Sequence, residues 1–262
     1  MIVAIPKEND HLENRVAATP GSVKDLIKSD IKVQVESEAG TKSFYSDQNY
    51  VDVGAEIIHS ASELFSQADV LIKVLPPSKE EVALLNPGSI LISFCQTTRD
   101  IDTVKALTDR SVTGFSMHLI PRTTLAQKMD ALSSQTNIAG YKAVLDAAYE
   151  YSKSFPMMMT AAGTVTPAKV LVLGAGVAGL QAIATAKRLG AVVSAYDVRL
   201  AAKEEVESLG AKFIVFDEEV LKKSQTEGGY AKEMSTDYKK KQEKALEEAI
   251  PENDIIICTA LI

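Results

Sequence analysis

The chain has 262 residues, 46% of them hydrophobic and 24% charged, with a net charge of −7. That is the length of one large or two ordinary domains with a sizeable core, and its acidic balance argues against a nucleic-acid groove, which needs a basic face. No apolar run approaches the ~20 residues of a membrane-spanning helix, and the start, MIVAIPKEND, lacks the basic opening and apolar core of a signal peptide.

In chain order, short apolar runs rich in β-branched residues predict strands at 1–5, 31–35, 69–75, 89–95, 111–117, 169–173, 192–197, 212–216 and 254–259. Helical periodicity fills most of the gaps, at 20–29, 78–85, 100–110, 178–189, 200–209 and 239–249. Thr19-Pro20 is a helix start, with a capping residue before a first-turn proline. Ser78 and Glu81 have capping-box spacing. Between Leu125 and about Lys153 the alternation stops, and NIAGYKAVLDAAYEYSKS reads as one long helix joining two α/β units. The expected architecture is α/β, with two doubly wound Rossmann-like domains of mostly parallel strands at 1–135 and 136–262. Residues 222–241, KKSQTEGGYAKEMSTDYKKK, read as a long loop leading into a helix. The two cysteines, Cys95 and Cys258, end strand-like runs and read as buried free thiols. His11, His59 and His118 show no metal-ligand spacing.

The strongest local signal is AKVLVLGAGVAGLQAIATAKRLGAVVSAYDVR. A strand runs into Gly174-x-Gly176-x-x-Gly179, then a helix, then a second strand ending at Asp197. Gly174 permits the tight turn, Gly176 lets a pyrophosphate approach the backbone, and Gly179 lets the helix pack close to the sheet. The helix N-terminus, starting at Val177, offers unpaired N–H groups and partial positive charge to phosphates. Asp197 is placed to accept hydrogen bonds from the adenosine ribose and to repel a 2′-phosphate, favouring NAD over NADP. Arg199, beyond Val198, works slightly against that preference, because an arginine can accommodate the phosphate.

A polar run, RTTLAQKMDALSSQ (122–135), precedes this fingerprint. By itself it reads as helix capping with a surface salt bridge. Together, PRTTLAQKMDALSSQTNIAGYKAV, MMMTAAGTVTPAKVLVLGAGVAGLQAIATAKRLGA, RVAATP (15–20), GGYAKEM (228–234) and TALI (259–262) resemble the NAD(H)-binding component of proton-translocating, Re/Si-specific NAD(P) transhydrogenase, a family related to alanine dehydrogenase. The resemblance implies that Arg122, Gln127 and Asp130, with Ser133 nearby, orient the nicotinamide. A carboxamide suits such groups, since arginine donates to its oxygen, aspartate accepts from its NH₂ and glutamine does either. It also implies a flap bearing Tyr230 and Met234, freed by Gly228 and Gly229, and a cofactor wall of Thr259, Ala260 and Leu261. The implied cofactor is NAD(H) here, with NADP(H) on a partner component. The implied partners are that component, a membrane proton channel and a second copy of this chain, with the chain peripheral on a cytoplasmic or organelle-matrix membrane face.

Alanine dehydrogenase is the alternative. It needs a proton donor and groups for pyruvate; the related family uses an arginine, a lysine and a histidine. Arg15 and Lys73 are kept, but LISFCQTT places Cys95 and Gln96 where the histidine is expected, and glutamine is no general acid near neutral pH. Arg15 and Lys73 are then expected to pair with nearby acids. A non-catalytic NAD(H)-binding module is a third reading with the same binding features. In the family, IIICTALI lies mid-domain, so the second domain is expected to be incomplete, with an exposed sheet edge and marginal stability.

Overall fold

The computed structural model describes residues 1–215 and 236–260. The chain divides into two compact units, Met1–Leu132 and Ser133–Ile262. In the first, strands β1 (Ile2–Ile5), β2 (Lys32–Glu36), β3 (Glu56–Ile58), β4 (Val70–Ile72), β5 (Ile90–Ser93) and β6 (Thr113–Ser116) form a parallel sheet in the order β3-β2-β1-β4-β5-β6. The order reverses between β1 and β4, as in a doubly wound sheet. Helices α1 (Pro20–Lys28), α2 (Asp47–Val51), α3 (Ala61–Gln67), α4 (Lys79–Leu84) and α5 (Ile101–Asp109) connect them. Alternate residues of β1 feed different cores: Val3 and Ile5 pack with Val23, Val33 and Val35, whereas Ala4 packs with Leu64, Phe65, Leu71 and Leu91. Two covered faces explain why these strands read as unbroken apolar runs. Thr19 caps α1 by accepting the Ser22 N–H, as its position before Pro20 implies. The sequence pattern misses β3, α2 and α3, which have three, five and seven residues and are too short to display a period.

In the second unit, strands β9 (Lys169–Leu173), β10 (Val192–Tyr196), β11 (Lys212–Phe213) and β12 (Ile255–Cys258) pair in parallel, in the order β11-β10-β9-β12. A hairpin of β7 (Met158–Thr160) and β8 (Gly163–Val165) stands apart from that sheet. The long helix α6 runs from Ala131 to Glu150, so it begins inside the polar run rather than at Asn137. Helices α7 (Val177–Arg188) and α8 (Ala202–Ser208) follow, and Thr236–Ala249 is also helical. Val144, Phe155, Val170, Val172, Ile183, Val193, Val206 and Ile257 share one core. Both cysteines are free; Cys95 is buried as expected, but Cys258 is exposed, because the last residue of β12 faces away from that core. Among the described residues no helix is long and apolar enough to cross a membrane, and no cluster of potential metal ligands occurs.

Ionised groups are buried in the first unit. The Lys73 ammonium lies 2.7 Å from Glu81 Oε1 and 3.9 Å from Glu8 Oε2, and the Lys73 and Glu8 side chains are each only 2% exposed. Glu8 also accepts the Val74 N–H at 2.6 Å. Burial pushes the Glu8 carboxyl up, more than that N–H and Lys73 pull it down. Glu81 does two jobs: it completes the Ser78 capping box of α4 and accepts from Asn9 at 2.9 Å. Removing the cation would strand two buried carboxylates. Lys73→Met is therefore expected to cost the first unit roughly 3–5 kcal/mol. Urea unfolding measures this, and a loss below ~1 kcal/mol would show the cluster to be solvated.

Candidate functional site

The carboxyl edge of the second sheet gathers most of the described residues of the glycine fingerprint. The sheet order places β9 between β10 and β12, and the chain reverses direction of build at β9. Ligands of open α/β sheets bind at such a point. Gly174 leaves β9 with φ +97°, a backbone setting that favours glycine, and its N–H donates to the Tyr196 carbonyl at 2.8 Å. A Cβ on Gly179 would run into the Gly174 carbonyl and lie 2.9 Å from Thr259 Oγ1. This is the close helix–strand packing expected of the third glycine. A Cβ on Gly176 would meet nothing within 4 Å. The space in front of it is open, and no side chain caps the N-terminus of α7. Val177, at the first turn, is 43% exposed. The turn thus has what a pyrophosphate requires: free approach to backbone at Gly176 and an uncapped helix start.

Helix α6 holds α7 from the other side. A Cβ on Gly140 would collide with the Ala178 carbonyl, so α6 passes against the first turn of α7 through a bare glycine. Sequence reasoning missed this residue. The available signal was a glycine within a helical pattern, which costs about 1 kcal/mol relative to alanine and so has a packing reason.

Asp197 lies directly after β10, 6% exposed. Its Oδ2 accepts the Ala175 N–H at 2.7 Å and Arg199 Nη2 at 3.0 Å. Its Oδ1 accepts the Arg199 N–H at 2.8 Å and Arg199 Nε at 2.9 Å. Burial alone would raise the carboxyl, but the Arg199 side chain, the Ala175 N–H and the Arg199 N–H together hold it below the usual aspartate range. The expectation of a carboxylate waiting for a ribose is corrected in one respect: both oxygens already have donors. Val198 is half-buried between them in sequence. Thr259 departs from expectation too. Its hydroxyl donates to the Gly174 carbonyl at 2.8 Å and its N–H to Leu173 at 2.8 Å, so it braces the turn from β12. Ala260 is exposed beside it. Tyr230, Met234 and Leu261, with Gly228 and Gly229, lie outside the described residues.

Arg122, Gln127 and Asp130 belong to the first unit. Gln127 starts a 3₁₀ turn that ends at Met129, and Asp130 directly precedes α6. Arg122 and Gln127 are exposed, and among the described residues no hydrogen bond or ion pair engages either side chain. Ser133 falls in the first turn of α6, in the second unit. Arg15 and Lys73 are paired with acids, as expected: Arg15 forks onto Glu13 at 2.7 and 2.8 Å, and Lys73 sits between Glu8 and Glu81. Gln96 Nε2 stands 3.4 Å from His118 Nε2. A cavity of about 130 Å³ in the first unit, bounded by Leu91, Ser93, Cys95 and Phe115, contains none of the predicted site residues and no charged group.

A carboxylate whose folded pKa is depressed stabilises the fold above its unfolded pKa of ~3.9 and loses that contribution as pH falls through the folded value. The melting temperature of the second unit is therefore expected to fall from about pH 4 downward, more steeply in the native chain than in Asp197→Asn. Parallel melting curves for the two over that range would contradict the assignment.

Comparison with known proteins places these features in a family. The N-terminal domain model of alanine dehydrogenase/PNT matches residues 4–139, and its C-terminal domain model matches residues 143–262. The first of the separately encoded portions of the NAD(P) transhydrogenase alpha subunit of Rhodospirillum rubrum is 52% identical over 267 residues, covering 100% of this chain and 70% of the relative. The crystal structure of a transhydrogenase from Sinorhizobium meliloti superposes with a TM-score of 0.87 at 46% identity, over 100% of this chain and 70% of that one. An L-alanine dehydrogenase structure matches at a TM-score of 0.71 and 25% identity, over 81% of this chain and 60% of that one. The chain belongs to the alanine dehydrogenase/PNT family, and within it is similar to transhydrogenase alpha subunits over its whole length.

Proposed function

We propose that this chain binds NAD(H) and passes hydride between NADH and NADP⁺ held on a partner component, coupled in the full complex to proton translocation across a membrane. The observation that carries this reading is the open Gly176 backbone in front of an uncapped α7, with Asp197 at the end of the neighbouring strand. The bound nicotinamide supplies the hydride. The chain's own work is binding, orientation and exclusion of water. Gly174, Gly176, Val177 and Gly179 would hold the pyrophosphate. Asp197, Val198 and Arg199 would hold the adenosine ribose, with Ala260 and Leu261 beside them and Thr259 as a brace. Arg122, Gln127 and Asp130, with Ser133, would hold the carboxamide, and Tyr230 and Met234 would close over the nucleotide. The partners in this reading are an NADP(H)-binding component, a membrane proton channel and a second copy of this chain, with the chain peripheral to the membrane.

The alanine dehydrogenase reading has less support. Lys73 is neutralised by two carboxylates and Arg15 by Glu13, which leaves neither cation ready for a carboxylate substrate. Gln96 supplies no proton.

Two glycine variants separate binding from folding. Gly176→Ala puts a methyl group into open space at an ordinary φ of −79°, so the melting temperature should hold while NADH affinity drops about tenfold or more. Gly179→Ala should instead lower the melting temperature, because its methyl meets main chain. NADH fluorescence reads the first effect cleanly in a chain without tryptophan. Undiminished NADH binding by Gly176→Ala would remove the turn from the proposed site.

A further inference from the structure

The hydrogen bonds of Asp197 can be counted. A carboxylate offers about four lone-pair sites, and four donors reach this one: the N–H groups of Ala175 and Arg199, and Nε and Nη2 of the Arg199 guanidinium. The two main-chain donors are fixed by the turn. The two guanidinium donors are on a side chain 32% exposed, which also reaches the Ala175 carbonyl at 3.3 Å. The carboxylate is therefore saturated, and its side chain is only 7% exposed. A ribose can hydrogen-bond to it only by displacing the guanidinium.

The exchange balances for one kind of ribose. An unmodified adenosine ribose brings two hydroxyl donors to replace two guanidinium donors. A 2′-phosphorylated ribose has lost one of those hydroxyls and brings an anion instead, for which the released guanidinium is the natural partner. The same side chain thus opposes one nucleotide and favours the other. We propose that Arg199 sets the nucleotide selectivity of this site, competing with the ribose diol of NAD(H) for Asp197 and serving as counter-ion to the 2′-phosphate of NADP(H). The inference rests on the reading that the Gly174–Gly179 turn binds NAD(H). It makes the preference for NAD(H) narrower in the native chain than Asp197 alone would impose.

The test is titration of the native chain, Arg199→Met and Arg199→Gln with NADH by cofactor fluorescence, and with NADPH by displacement of NADH. Melting curves without nucleotide check folding. In Arg199→Met, NADH should bind roughly three- to tenfold tighter, and NADPH should weaken by at least as much. Arg199→Gln keeps one amide donor and should move both affinities in the same directions, but less. It carries the test if the methionine variant does not fold. Weaker binding of both nucleotides would make Arg199 a plain contact, and unchanged binding of both would make it a structural brace; either result overturns the inference. If the native chain binds neither nucleotide, the reading of the turn fails and this inference with it. If the native chain binds NADH and the variants do not bind it more tightly, only this inference falls.

Discussion

Helix α7 can lie against β9 only because Gly179 has no side chain. Its Cα faces the Gly174 carbonyl so closely that a single methyl group would overlap main-chain atoms, which cannot move aside as a flexible side chain could. Thr259 fastens the same carbonyl from β12, and Gly140 admits the Ala178 carbonyl from α6. Three elements thus converge on one turn. Its direction fixes where the α7 N-terminus points, where the Ala175 N–H meets Asp197, and which face of Gly176 stays open. Remove the close approach and each of these geometries shifts together.

The two units make opposite use of similar sheets. In the first, the groups near the β1/β4 reversal are charged, buried and mutually satisfied, with Lys73 between Glu8 and Glu81. Charges held this way are costly to disturb and are poor recruits for a substrate. In the second, the turn at the carboxyl edge has few side chains of its own and offers backbone groups. Backbone donors suit a phosphate and do not titrate. That division fits a chain that positions a nucleotide and leaves proton handling to other parts of a complex.

Much of this was legible in the sequence, for identifiable reasons. Buried parallel strands advertise themselves as continuous apolar runs, so β1, β2, β4, β5, β9, β10 and β12 stand out. The glycine spacing and Asp197 also stand out, because each position answers a local backbone demand. Helices α2 and α3 do not, being too short for a 3.6-residue period to show. The fork of Arg199 onto Asp197 and the contact of Gly140 with Ala178 are matters of side-chain direction and helix docking. A linear pattern records neither. The exposed Cys258 was missed for a related reason: an apolar run indicates a buried strand, not the direction of its last residue.

The central question is where the hydride goes. The direct measurement is oxidation of NADH by the native chain, once with purified NADP(H)-binding component and NADP⁺, and once with pyruvate and ammonium alone. NADP⁺-dependent oxidation is expected in the first mixture and none above background in the second. Pyruvate-dependent oxidation by the chain on its own would contradict the proposed transfer, and would return Lys73 and Arg15 to the role of substrate ligands.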